Sequence, residues 1–349
     1  MAEFNFAYTN SDLTREVNKI PNQFGYLGQL GIAPFEPKAS VWVRVEYKNG
    51  QIFVLSSKPR GAPGELGPDE EEGGVILQIP HFPHMERISV DDVDGLLQVV
   101  NGVVSQRSLD KELSRKLFTI RSNHNITLEY IRLGMLKGLI KDGSGKTLYD
   151  LYELFGIQKK QINFNLNDES TDVREKCEEV IDHHMTHLRG ETTNGTEAIV
   201  DSKFFANLVS HKNVEKFWLQ AQNSSEHKEL RRQSSGGNWG RVFDFGDIIW
   251  REYKGGLPVK KKDGTIETVP NVDAGKGHAY PSGTQNMMKT FEAPPHHLAH
   301  VNEIPEEDLI FISTKELDHG EGFDLKSQSN RLAICKQPEC LVECVSTAA

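Results

Sequence analysis

Between residues 41 and 57 the chain alternates. Val41, Val43, Val45 and Tyr47 share one side and Trp42, Arg44 and Glu46 the other, which predicts a half-buried strand. Asn49-Gly50 is a turn signal, and Ile52-Phe53-Val54-Leu55 begins a second strand. Residues 58 to 74 are rich in Pro and Gly and end acidic, and Val75 to Ile79 is apolar again. Residues 52 to 79 therefore predict a long hairpin with an open polar tip. Ser89 ahead of Asp91 and Asp92 predicts a helix start. The period then changes. Leu109, Leu113, Leu117, Ile120, Leu128, Ile131 and Met135 recur at three- and four-residue steps, predicting a helix over 107–139. At ~1.5 Å per residue it is about 50 Å long, unusual for a compact globule. The weak helix formers Asn123-His124-Asn125 predict a kink within it.

Leu139 to Lys146 reads as a turn between two short strands. Ile162, Phe164 and Leu166 predict a strand, and residues 171 to 188 a helix with Val173, Cys177, Ile181, His184 and Leu188 on one face. Ala198-Ile199-Val200 is a short strand, Phe204 to about Gln222 a helix, and strand and loop dominate from Val242 onward. Residues 1 to about 40, interrupted by Pro21, Pro34 and Pro37, show no clean period and read as an irregular arm that must lie on something else.

Composition narrows the function classes. The hydrophobic fraction is 37%, and mean hydropathy is −0.50. That core is lean for 349 residues, as in a subunit that completes its burial against neighbours. A net charge of −10 disfavours free nucleic acid, whose phosphates require Lys and Arg. The start MAEFNFAYTN lacks a secretory pattern, and no run approaches 18 apolar residues, so no membrane partner is expected and Cys177, Cys335, Cys340 and Cys344 are expected to be reduced.

The chemical motifs fail on spacing. DGSGKT at 142–147 resembles a phosphate loop, but Ile140 stands where the first glycine is needed and a long helix precedes it, so it reads as a turn. His183 and His187 have the i, i+4 spacing of zinc ligands; with His184 they support an alternative reading as a metal-dependent hydrolase, but the glutamate of the zinc-protease motif is absent and no third ligand is evident. His296, His297 and His300 form a second cluster without ligand spacing. Cys335, Cys340 and Cys344 do not form a CxxC pair and read as small buried hydrophobes. No nucleophile elbow and no dinucleotide fingerprint occurs, so no cofactor is expected. A generic binding protein with a deep pocket fits poorly with the long arm and hairpin.

Eight segments, in order, resemble the lambda-type bacteriophage major capsid protein E family: LTREVNKIPNQFGYLGQLGI (13–32), VWVRVEYKNGQIFVL with RGAPGE (41–65), PHFPHMERISVDDVDG (80–95), TLEYIRLGMLKGLIKDGSG (127–145), FFANLVSHKNVEKFW (204–218), FDFGDIIWREYKG (243–255), HAYPSGTQNMMKTFEAPP (278–295) and SQSNRLAICKQPE (327–339). The chain departs from the family after Pro294, where PHHLAHVN replaces an acidic polar stretch.

The resemblance implies an α+β chain with the Hong Kong 97-type capsid fold and no enzymatic activity. Its expected segments are an N-terminal arm (1–40) and a peripheral domain (41–166) with the extended E-loop (about 50–85) and the spine helix (about 107–139). An axial domain (167–270) and closing strands (271–349) follow. It also implies a virion subunit assembled in the bacterial host cytoplasm into pentamers and hexamers around double-stranded DNA. Its expected partners are itself, a scaffolding protein, a portal and a decoration protein. Charge supplies a contact hypothesis. The hairpin tip carries Lys58, Arg60, Asp69, Glu70, Glu71 and Glu72, and the spine helix carries Arg115, Lys116, Arg121, Arg132 and Lys137. The acidic tip is expected to dock on such a basic patch of an adjacent subunit.

Overall fold

A computed structural model describes residues 8–21, 25–48, 72–94, 106–216, 240–260 and 263–347. Its chain contacts form two compact units, each assembled from separated stretches of sequence.

The first unit comprises Met1–Val43, Leu77–Glu129 and Thr290–Ala333. Its sheet is centred on the long strand Gly322–Cys335, which has antiparallel neighbours in Phe311–Glu316 and His81–Ser89. Phe35–Pro37 runs parallel to Met288–Glu292 in the same sheet. Against one face lies the stretch up to Glu129 of the helix Gln106–Lys137, whose ends fall within two residues of the predicted helix. Leu113, Leu117 and Ile120 of the helix bury with Ile88, Ile312 and Leu325 of the sheet. The expected kink is absent. The helix continues through residues 123–125 because His124 turns inward, its Nδ1 2.8 Å from Ser329 Oγ and its Nε2 3.1 Å from Ser327 Oγ. Tertiary bonds to the sheet thus override a weak local propensity.

The irregular arm is corrected in its described part. Asn10–Lys19 is a helix, opened by a capping box between Thr9 and Asp12. Leu13 and Val17 are buried in the same core as the spine helix. Asn10 Oδ1 accepts from Thr314 N at 3.0 Å, and Asn18 Oδ1 accepts from Ile310 N at 3.0 Å, so the helix is tied to the segment entering and forming strand Phe311–Glu316. The missed signal was the Thr9–Asp12 spacing ahead of Leu13, Val17 and Ile20.

A buried charge network crosses this unit. Arg331 Nε donates to Glu292 Oε1 at 2.9 Å, Arg331 Nη1 lies 2.9 Å from Asp308 Oδ1, and Arg331 Nη2 donates to the Leu309 carbonyl at 2.8 Å. Asp308 also pairs with Arg121 of the spine helix, and its backbone N–H donates to Glu292 Oε2 at 2.9 Å. Arg121 further donates to the Asp308 carbonyl at 3.2 Å. Burial raises the Glu292 carboxyl despite its arginine partner.

The second unit comprises Arg44–Ile76, Tyr130–Lys289 and Ile334–Ala349. Its central sheet takes the strands in the order Lys160–Asn163, Val342–Val345, Lys276–Ser282, Gly195–Val200, Ile248–Glu252 and Val242–Phe245. The helix Val173–His187, capped by Asp172, buries Val173, Cys177 and Val180. The helix Ser202–Ser210, capped by Asp201, adds Phe204, Phe205 and Leu208. Phe164, Phe204 and Trp250 meet in this core, with ring centroids 5.4 to 5.6 Å apart. The expected helix from Phe204 to about Gln222 stops at Ser210 and resumes briefly over 212–216. His211 breaks it with an extended backbone, and residues 217–239 lie outside the described set.

The spine helix ends at Gly138, whose φ of +76° and whose packing against Tyr152 leave no room for a Cβ. The expected turn follows, between strands Leu139–Lys141 and Thr147–Asp150, with Asp142 Oδ1 accepting from the backbone of Ser144 and Lys146. All four cysteines are buried free thiols.

Two predictions follow from this packing. If the Asn10–Lys19 helix belongs to the core, Leu13→Ala lowers stability by roughly 2–5 kcal/mol in urea titration; a loss near zero would return that segment to a loosely laid arm. The second concerns pH. Burial is the chief cause holding His124, His184 and His278 down to about 3, against ~6.5 in an unfolded chain. The unfolded state therefore binds more protons between those values. The stability is fully present above pH ~6.5 and falls as pH drops, by up to ~1.4 kcal/mol per pH unit for each histidine. The thermal midpoint drops between pH 7 and pH 5, and His278→Gln makes the drop shallower. A flat midpoint over that range would contradict the burial of neutral imidazoles.

Candidate functional site

The hairpin's base differs from the expected 52–79: the returning strand pairs with the earlier strand at 42–48, and the expected strand from Ile52 lies outside the described residues. Trp42–Lys48 pairs with Glu72–Gln78, and among the described residues these two strands form a sheet with no third member. Alternation places Val43, Val45 and Leu77 inward, while Trp42 and Ile76 are exposed. Arg44 packs so closely under Gly74 that a Cβ there would overlap its guanidinium. The tip residues Lys58, Arg60, Asp69, Glu70 and Glu71, the Asn49-Gly50 turn and the start of the second strand lie outside the described residues. Glu72 opens the returning strand.

The five spine-helix cations are not equivalent. Arg121 is buried in the network with Asp308, and burial lowers its guanidinium against the pull of that carboxylate. Arg132 is also buried. Both are corrections to the basic patch: the helical period that marks Ile120, Leu128 and Ile131 as inward carries these two cations inward beside them. Lys116 is half-buried and donates to Glu86 Oε2 at 2.9 Å. Burial would raise the Glu86 carboxyl, but the bond and charge of Lys116, helped by His84, hold it below its ordinary value. Lys137 reaches Asp273 Oδ1 at 3.4 Å, and burial lowers its ammonium against that carboxylate. Arg115 alone of the five is widely exposed, at 63% of its side chain, and it grips Glu112 of its own helix.

The histidines of the hydrolase alternative are engaged in packing. His183 Nε2 lies 2.9 Å from the Glu339 carbonyl, His187 Nδ1 lies 2.8 Å from the His183 carbonyl, and their rings stand 4.1 Å apart. His184 turns the other way, into the core, with Nδ1 3.1 Å from Thr196 Oγ1. Among the described residues no group of three or more His, Cys, Asp or Glu side chains is arranged to hold a metal ion. No described helix is long and apolar enough to cross a membrane.

Sequence reading missed the carboxylates that matter most, Glu292 and Asp308, and their partner Arg331. A signal existed: Arg331 stands directly before the apolar run Leu332-Ala333-Ile334-Cys335, in a strand buried along most of its length.

The architecture has counterparts. A crystal structure described as a prophage capsid protein from E. coli CFT073 superposes with a TM-score of 0.62 at 10% identity, covering 98% of this chain and 100% of that one. The capsid of cyanophage P-SCSP1u gives 0.50 at 9% identity, covering 95% and 91%. At this distance the likeness establishes the fold, the Hong Kong 97-type capsid fold. Sequence relatives are nearer. The chain is 30% identical over 350 residues to the major capsid protein of Pseudomonas phage KPP10, covering 97% of this chain and 96% of the relative. It is 26% identical over 354 residues to that of Salmonella phage Felix O1, covering 95% of each. The profile of phage major capsid protein E matches residues 9–346. With that match spanning nearly the whole chain, the chain belongs to the phage major capsid protein E family, a family of structural shell proteins and not of enzymes.

Proposed function

We propose that this chain closes an icosahedral head from rings of five and six copies, each copy lending its hairpin to a neighbour. The observation that carries the reading is the two-stranded sheet Trp42–Lys48 with Glu72–Gln78. A hairpin alone is marginal in water, and this one leaves Trp42 and Ile76 exposed. A neighbouring copy supplies the missing surface, and a contact that each subunit both gives and receives is heterologous and closes into rings. The unit built on the long strand Gly322–Cys335 takes the part of the peripheral domain, and the unit built on the six-stranded sheet that of the axial domain. Scaffolding, portal and decoration proteins are the further partners, and the host cytoplasm is the place of assembly. The net charge of −10 suits a wall that encloses DNA without adhering to it.

The acidic tip Asp69, Glu70, Glu71 and Glu72, with Lys58 and Arg60, then meets a cationic surface of the adjacent copy. Arg115 is the spine-helix residue best placed to take part. Exposed pairs contribute at most ~1 kcal/mol each, but repeated around a ring they set register and speed encounter. Reversing Glu70, Glu71 and Glu72 to Lys tests the docking. The subunit keeps its helix content by circular dichroism, while assembly followed by light scattering slows and becomes salt-sensitive. Shells forming at the normal rate in low salt would refute the docking and leave the tip a solubilising spacer.

A further inference from the structure

We propose a second contact between copies, separate from the hairpin: the loop 296–304 of one subunit seats on the open outer face of the peripheral sheet of another. The inference rests on the assembly reading above and adds a surface to it.

The sheet has two faces, and the register assigns them. Residues directly opposite in an antiparallel pair share a face, and successive residues alternate. The row His84, Ser327, Ile312 faces the spine helix, since Ser327 bonds His124 and His84 lies 3.3 Å from Asn123. The neighbouring rows face away. The first, Pro83, Gln328 and Phe311, is covered by the chain's own loop. There the His296 backbone N–H donates to Gln328 Oε1 at 3.2 Å, and the His297 and His300 rings lie 5.1 and 5.0 Å from Phe311. The next two rows are Met85, Lys326, Ser313 and Arg87, Asp324, Lys315. They present Met85 at 59% exposure and the cations Lys326 and Lys315, beside an Arg87 that already holds both oxygens of Asp324.

The loop presents the opposite character. Its histidines and its backbone bond hold it on the sheet, and His300 is fixed to Glu303 at 2.8 Å. It nevertheless exposes Leu298 at 91%, Val301 at 57% and Ile304 at 69%, three large apolar side chains within seven residues. Exposed Glu306 and Glu307 follow. An ordered loop that displays a cluster of apolar groups marks a contact surface more often than a solvated tip. Apolar residues beside acids on the loop match Met85 beside Lys315 and Lys326 on the sheet. The two surfaces differ, so the contact is heterologous and can repeat around a symmetry axis. A second copy of this chain is the occupant because each copy carries both halves of the match.

Two measurements test it. Shells are co-assembled from chains carrying Leu298→Cys and chains carrying Met85→Cys, then treated with a short bismaleimide. The native thiols are buried, so the reagent reports the introduced pair. A cross-linked dimer is expected in mixed shells and not in shells of either variant alone. In parallel, Glu306→Lys with Glu307→Lys slows assembly about tenfold at low salt, Lys315→Glu with Lys326→Glu does the same, and the four together restore the rate to within about twofold. A loop that only stabilised its own subunit would give no such rescue. Shells without the cross-link, or reversed pairs that assemble normally, overturn this contact alone. Wild-type chains that form no shells overturn the assembly reading and the contact with it.

Discussion

The unit built on the long strand Gly322–Cys335 turns on one buried arginine. Arg331 lies inside the sheet with its guanidinium divided between Glu292, Asp308 and the Leu309 carbonyl, and it stands 5.8 Å from the Phe35 ring. Taking such charges out of water costs several kcal/mol per ion, and mutual attraction repays it only when every partner is in place. Asp308 is in place only if the spine helix brings Arg121 to it, and the segment after it is held by Asn18 of the first helix. The network therefore penalises misregister among stretches from both ends and the middle of the chain more than it adds to net stability. An apolar core alone tolerates slippage; a shell subunit repeated many times needs a single register.

The same logic explains why the spine helix is a poor docking surface along much of its length. Its inward stripe holds Arg121, His124 and Arg132 as well as leucine and isoleucine. Lys116 is taken by Glu86 of strand His81–Ser89, and Lys137 by Asp273. Positive charge along this helix chiefly joins the subunit to itself. Of its five candidate cations, Arg115 alone is left widely exposed.

Strong periodicity made the spine helix, the helix Val173–His187 and the strand Trp42–Lys48 legible from sequence, because each buries one face and repeats it. Capping chemistry announced Ser89 correctly, its hydroxyl and backbone N–H both donating to Asp92 at 3.0 Å. The helix Asn10–Lys19 was missed because only Leu13 and Val17 are buried in it, too few for periodicity to register against the prolines that follow. Asn123-His124-Asn125 misled in the opposite direction: two hydroxyls on a strand 200 residues away hold His124 in the helix, and no local signal carries that. The charged candidates divided for a similar reason. Sequence shows that Arg115, Arg121 and Arg132 are cations on one helix; which of them faces Asp308 and which faces water depends on the sheet beneath. Family resemblance supplied what local patterning could not, the joining of distant segments into one fold.

The central claim is that this subunit is built to be completed by copies of itself. Negative-stain electron microscopy of the chain produced together with its scaffolding protein tests that most directly. Closed shells of uniform diameter, with rings or tubes when the scaffold is omitted, are the predicted result. A monomer at every protein concentration and salt, with the scaffold present, would contradict it.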